Sequence, residues 1–197
     1  MIYKIDTDIE RYTEGVMKEL IETYPAAQQE YILAMRHEQG RRERTATYQL
    51  LVETLRQEHL FAEMPLIGHE EQGRPFLINY PQLHNSQSHC RRGVAIVLSQ
   101  ESAVGIDIEC RRKISQALVE RVCSLQEQKE VVNSDDPEDT FLRFWTRKES
   151  YVKYLGTGIR ESLKDIERES ESAGACIESH PIAEIGGWAS ICFQSPR

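Results

Sequence analysis

The sequence carries no marker of export or membrane insertion. Its N-terminal segment, MIYKIDTDIER, is charged from the fourth residue and lacks an apolar core region, so no signal peptide is read there. No apolar run approaches the ~18 residues that a membrane helix requires. The five cysteines (Cys90, Cys110, Cys123, Cys176 and Cys192) are odd in number and form no C-x-x-C pair. That suits reduced thiols in the cytoplasm better than a disulfide frame or a zinc site. Positive charge is also short: a formal net charge of -8 argues against a general nucleic-acid binder, because phosphate backbones demand a basic face. The expectation is a cytoplasmic protein with neither membrane nor nucleic acid among its partners.

The basic residues that do occur are clustered: Arg36, Arg41, Arg42 and Arg44, then Arg91 and Arg92, then Arg111, Arg112 and Lys113. Each cluster taken singly reads as a solvated helix face, but together they suit one small polyanion or a local acidic partner. At 197 residues the chain accommodates one compact unit or two fused halves of about 100 residues each.

Periodicity predicts a strand over 1–8, then a helix from Asp8 to Leu20, and a second segment opened by Pro25 and running to Arg36. Thr45 to Leu60 reads as a helix with Tyr48, Leu51, Val52 and Leu55 on one face. Residues 62–92 hold no period and are punctuated by Pro65, Gly68, Gly73, Pro75 and Pro81, which reads as a long, functional loop. Gly93–Leu98 and Ala103–Ile108 are apolar, β-branched runs separated by Ser99–Ser102, the pattern of a hairpin. Ser115 to Val132 is helical in two pieces, the second headed by the capping box of Ser124 and Glu127. Pro137 opens a helix over Asp139–Leu155, which Gly156 and Gly158 end. Short strands are expected around Leu163–Ile166, Ala175–Ser179 and Trp188–Phe193.

Four groups of residues carry chemistry. Asp107 and Glu109 are two apart in a strand and therefore project from one face beside Gly105. Adjacent carboxylates repel, and a hard cation such as magnesium relieves them; the solvent face of an edge strand is the plainer reading of the pair alone. In Phe144-Trp-Thr-Arg-Lys-Glu-Ser-Tyr-Val-Lys153, Trp145, Glu149 and Lys153 succeed one another by a helical turn and share a face. Lys148 is turned about 100° away from Glu149 and addresses a different direction. His89, in Asn85-Ser-Gln-Ser-His-Cys90, and Arg74, in Arg74-Pro-Phe76, read singly as a loop histidine and a turn.

The order of these groups is more specific than any one of them. R-P-F, then S-H-C, then G-I-D-I-E on a strand, then F-W-T-R-K-E-S-Y-V-K resembles the 4'-phosphopantetheinyl transferase superfamily, over about residues 36–160. The likeness is to its larger, pseudo-dimeric branch, the surfactin-synthetase-activating type. The resemblance implies an α+β fold of two similar halves, 1–99 and 100–197, in a pseudo-twofold arrangement with the active site in the crevice between them. It implies transfer of phosphopantetheine from coenzyme A, as co-substrate, to a serine of an apo acyl or peptidyl carrier protein, with release of 3',5'-ADP by a monomeric enzyme.

By the same resemblance magnesium is held by Asp107, Glu109 and Glu149, with Glu149 and Lys153 as the catalytic pair. Coenzyme A is held by Arg44, Arg74, Ser88, His89 and Lys148: Arg44 and His89 at the 3'-phosphate, Arg74 near the adenine, Lys148 at the pyrophosphate. The sequence departs from the family pattern at Ser86-Gln87, where an Asn followed by an Ile is expected. It also departs in segment 26–35, which has no basic residue; Arg36, Arg41 or Arg42 are the substitutes available. Two other readings stay open: another magnesium-dependent phosphoester enzyme, such as a pyrophosphohydrolase, and a family member that binds without turnover.

Overall fold

The computed structural model describes residues 1–158 and 163–195, so the last two positions of the matched stretch 36–160 lie outside them. Strands β1 (Ile2–Asp6), β4 (His84–Cys90) and β5 (Gly93–Ser99) form one antiparallel sheet in the order β1-β5-β4. Strands β6 (Val104–Glu109), β7 (Ala175–Ile182) and β8 (Gly187–Gln194) form a second in the order β6-β8-β7. A ribbon of β2 (Ile67–His69) and β3 (Pro75–Leu77) stands apart. Helices α1 (Glu14–Glu22), α2 (Ala26–Leu33) and α3 (Glu38–Gln57) lie between β1 and β2. Helices α4 (Gln116–Val122), α5 (Leu125–Asn133), α6 (Pro137–Leu155) and α7 (Ile166–Ser172) lie between β6 and β7. The fold is α+β, and both sheets use one plan: a first strand, then helices, then a hairpin whose last strand takes the central place.

Alternation along β5 explains why it reads as an unbroken apolar run. Val94, Ile96 and Leu98 pack with Tyr48, Leu51 and Leu55 of α3, while Ala95 and Val97 face Ile106, Ile108 and Ile191 of the second sheet. Every residue of β5 is buried because the strand serves two cores at once. Both its edges are occupied, by β1 and β4. Pairing with β6 is thereby excluded, and the hairpin expected over 93–108 does not form; β6 pairs with β8 instead.

Four further expectations are corrected. Segment 62–92 contains β2, β3 and β4 rather than continuous loop. The helix expected from Thr45 begins at Glu38, in a charged turn where Arg42 pairs with Glu38 at 2.5 Å; no apolar stripe marks that turn. The helix expected from Asp8 is a 3-10 turn, Ile9–Arg11, followed by α1, whose first turn Thr13 caps by accepting the Val16 N–H. Leu163–Ile166 is a turn running into α7, not a strand.

Candidate active site

Strands β4 and β6 run beside each other where the two sheets meet, and serine side chains bridge them. The Ile106 N–H donates to Ser86 Oγ at 3.1 Å and the Ile108 N–H to Ser88 Oγ at 3.3 Å. Buried backbone N–H groups must be satisfied, so small hydroxyl residues at alternate positions of β4 do the work of ladder carbonyls. Ser88 then donates its own hydrogen to Asp107 Oδ1 at 2.8 Å. It is thus a support for Asp107, a role the sequence does not show.

Helix α6 crosses β6 on the face opposite the apolar core. A Cβ on Gly105 would come 2.0 Å from the Ser150 carbonyl oxygen and 2.5 Å from the Tyr154 nitrogen. Only glycine permits so close an approach, which brings α6 down onto the carboxylate-bearing face of the strand. Local signals define the helix ends: Asp136 accepts the Asp139 N–H at 3.1 Å, Pro137 occupies the first turn, and Gly156 closes the helix in the left-handed conformation.

The crossing sets Lys153 Nζ 2.7 Å from Asp107 Oδ1. Lys153 therefore holds Asp107, and its charge also favours the Glu149 carboxylate. Burial, reinforced by the charge of Asp107, raises the pKa of both Glu109 and Glu149. Arg112 pulls Glu109 back, lying 3.6 Å from it, as does a hydrogen bond from Trp145. Asp107 is 5% exposed, and its Oδ2 is buried without a hydrogen-bond partner. Among the described residues no three His, Cys, Asp or Glu side chains stand as a closed cation cage. The expected carboxylates share one neighbourhood, but Asp107 is engaged with Ser88 and Lys153.

Lys148 lies apart from these groups. It is fully buried, and its ammonium donates to Glu127 Oε2 at 2.7 Å, the Leu163 carbonyl at 3.0 Å and the Val122 carbonyl at 3.1 Å. Glu127 also accepts the Ser124 N–H at 2.6 Å to complete the capping box of α5. All three donors of Lys148 are taken up inside the C-terminal half, and it lines neither of the two cavities that follow. Its role is to clamp α6 to α4, α5 and the segment leading to α7.

The remaining site residues line two adjoining cavities. One, of about 310 Å³, has Arg74, Ser86, Gln87, Glu149 and Lys153 in its walls. Arg74 reaches across from the β2–β3 ribbon to lie against Gly156 at the end of α6. The other, of about 180 Å³, brings Arg44 and His89 together with Tyr31, His69 and Gln87. Arg44 sits within α3 rather than ahead of it. Its guanidinium stacks 3.7 Å from the Tyr31 ring and donates to the Tyr31 carbonyl. His89 lies on β4, not in a loop, with Nδ1 3.3 Å from Glu43 Oε2. Burial pushes Glu43 up, but the bonds from His89 and Gln39 outweigh it and hold its carboxyl below the usual range.

Arg41 donates to the Met35 and Arg36 carbonyls and Arg42 to the Tyr12 carbonyl. Neither lines the two cavities. Nothing in the spacing of Tyr31 and His69 ties them to His89, whereas Gln87 lies two residues before it on β4, a tie that a loop over 62–92 conceals. A wider cleft of about 910 Å³ lies elsewhere in the C-terminal half, with Arg143, Arg147 and Glu167 in its walls. Its central charges are already paired, Arg147 with Glu167 at 2.7 Å.

A protein described as 4'-phosphopantetheinyl transferase AcpT, from Escherichia coli O157:H7, is 37% identical over 102 residues, 50% of this chain and 52% of the relative. One described as 4'-phosphopantetheinyl transferase Sfp, from Bacillus subtilis (strain 168), is 33% identical over 92 residues, 46% of this chain and 41% of the relative. A 4'-phosphopantetheinyl transferase of Bacillus subtilis is 29% identical over 128 residues, 64% of this chain and 54% of the relative. The chain spans about half the length of the curated relatives it matches. Residues 103–193 match the model of the 4'-phosphopantetheinyl transferase superfamily, the stretch that holds β6 with Asp107 and Glu109 and α6 with Glu149 and Lys153. Through these residues the chain is similar to the 4'-phosphopantetheinyl transferase superfamily over a little under half of its length.

Proposed function

We propose that this protein transfers the phosphopantetheine group of coenzyme A to a serine of an apo acyl or peptidyl carrier protein, releasing 3',5'-ADP, with magnesium as cofactor. The observation that carries the reading is the placement of Glu149 and Lys153 by α6 over Asp107, in a crevice whose other wall bears Arg74 and, beyond it, His89 and Arg44. Two halves, 1–99 and 100–197, related by a pseudo-twofold axis as in the larger branch of the family, account for a site drawn from both sheets. A monomer acting in the cytoplasm completes the proposal.

The donor set suits magnesium. Asp107 Oδ2 is a buried, unpartnered carboxylate oxygen, and Glu109 and Glu149 are destabilised as anions by burial and by Asp107. Oxygen-only ligands select hard cations. Asp107, Glu109 and Glu149 would hold magnesium, which when bound would supply Lewis-acid neutralisation of the pyrophosphate. The chain's own residues do the rest. Ser88 and Lys153 fix Asp107, Arg44 and His89 bind the 3'-phosphate, and Arg74 borders the path between that phosphate and the carboxylates. Glu149 takes the proton of the attacking serine hydroxyl, whose oxygen forms a bond to the β-phosphorus as 3',5'-ADP departs. Phosphoryl transfer asks a protein mainly for this kind of alignment and charge balance.

Incubation with coenzyme A, magnesium and a panel of apo carrier proteins should add one phosphopantetheine mass to at least one carrier, read by mass spectrometry. Asp107→Ala is expected to abolish the addition. An active Asp107→Ala, or full turnover in chelator, defeats the metal assignment, and no mass gain on any carrier defeats the transferase reading.

A second expectation concerns the 3'-phosphate. Hydrogen bonds to charged groups are worth about 1.5–3 kcal/mol, so His89→Ala should weaken coenzyme A binding roughly 10- to 100-fold on that scale. Dephospho-coenzyme A, which lacks that phosphate, should bind wild type and variant alike. Equal losses for the two ligands in calorimetry would place His89 elsewhere.

A further inference from the structure

The register between β4 and β6 has a consequence for two cysteines. Ser86 and Ser88 accept the Ile106 and Ile108 N–H groups, each partner lying 20 residues further along the chain. The two strands therefore run parallel and in step, and the hydroxyl-to-amide bonds of 3.1 and 3.3 Å keep their backbones close. Two residues further along the same face, Cys90 ends β4 beside Cys110, which directly follows β6. Both side chains are buried in one apolar cluster with Ala95, Ile108 and Ile185. The Cys110 thiol stands near enough to act directly on that of Cys90.

Both cysteines are free thiols. A disulfide requires side chains aimed at one another from backbones about 4.4–6.8 Å apart, the relation of facing residues on neighbouring strands. We propose that Cys90 and Cys110 form a modification site, where an oxidant of the peroxide class joins them as a disulfide that staples the two sheets together. One thiol takes an oxygen from the peroxide and becomes a sulfenic acid, releasing water. The other thiol attacks that sulfur, and a second water leaves as the S–S bond forms. Two thiols and one peroxide thus give one disulfide and two waters. Burial pushes the Cys90 thiol up to about 12, so it rests protonated at neutral pH and the oxidation is slow.

Both backbones are held where the link would form. Cys90 pairs with Gly93 across the tight turn from β4 to β5. Gly187 packs so closely on the other segment that an added Cβ would come 2.9 Å from the Cys110 Cα. The other three cysteines are not placed for a link. Cys176 stands opposite Phe193 and Cys192 opposite Ile177, so their side chains leave opposite faces of the sheet. Cys123 belongs to a separate cluster with Val119, Val122 and Phe141. The modification does not depend on what the crevice transfers, although the two cysteines directly follow His89 and Glu109.

The test treats the reduced full-length chain with an equimolar amount of hydrogen peroxide, then unfolds it in N-ethylmaleimide and digests it for mass spectrometry. One linked pair of peptides carrying Cys90 and Cys110 is expected, with maleimide on Cys123, Cys176 and Cys192. The link closes a loop of about 20 residues, so Tm should rise on the order of 6–12 °C and fall back with dithiothreitol. Cys90→Ser and Cys110→Ser, measured separately, should each show neither the link nor the rise. Five free thiols after peroxide, a link between any other pair, or a sulfinic acid in place of the link overturns the proposal. So does a link that leaves Tm unchanged, and these wild-type readouts decide the matter even where a variant fails to fold.

Discussion

Glu149→Gln is expected to lower carrier modification by at least ~100-fold while the affinity for coenzyme A falls much less, since proton-transfer assistance is typically worth ~10²–10⁴ in rate. The amide keeps the shape of the side chain and removes both its charge and its basicity. Glu149 lines the crevice on the helix that Gly105 admits onto β6, so the substitution disturbs no packing on the far side of α6. Lys153→Ala should act in the same direction less severely. Its effect now has a structural route, because its ammonium is bonded to Asp107 at 2.7 Å. If Glu149 and Lys153 contributed only surface charge, each loss would cost less than about 1 kcal/mol and kinetics would stay near normal. Turnover and calorimetric affinity measured on the same preparations discriminate the two, and wild-type turnover in Glu149→Gln would defeat the role assigned to it.

Lys148→Ala is expected to destabilise the protein by about 3–5 kcal/mol, the usual cost of removing one partner of a buried ion pair. For a chain of this size that corresponds to a fall in Tm on the order of 6–20 °C. The loss has two parts: Glu127 keeps a buried charge without its cation, and the Val122 and Leu163 carbonyls lose a donor. Replacing both partners, as in Glu127→Gln with Lys148→Met, should recover part of the stability, because no charge is then left unpaired. Thermal unfolding of the single and double variants tests this. A Lys148→Ala protein with unchanged Tm but lost coenzyme A affinity would restore the lysine to the phosphate site.

Local chemistry made much of this protein legible from sequence. The caps of α5 and α6 lie in their own turns: Ser124 with Glu127, Asp136 ahead of Pro137, and Gly156 at the far end. The period of two that puts Asp107 and Glu109 on one face, and the period of 3.6 that aligns Trp145, Glu149 and Lys153, needs nothing beyond the chain itself. The α+β class rested instead on the family resemblance that the order of the motifs carries.

Tertiary structure decided the rest, because those outcomes depend on what lies across from each residue. β4 was unreadable: its buried positions include Ser86 and Ser88, and their burial makes sense only once the Ile106 and Ile108 N–H groups of β6 stand opposite. The pairing of β5 and β6 looked like a hairpin because proximity in sequence does not tell which strand edges β1, β4 and β8 will take. The 100° turn between Lys148 and Glu149 was implicit in any helix. Only the arrival of Glu127 on α5 decided that one of these neighbours would be a buried clamp and the other would face the crevice.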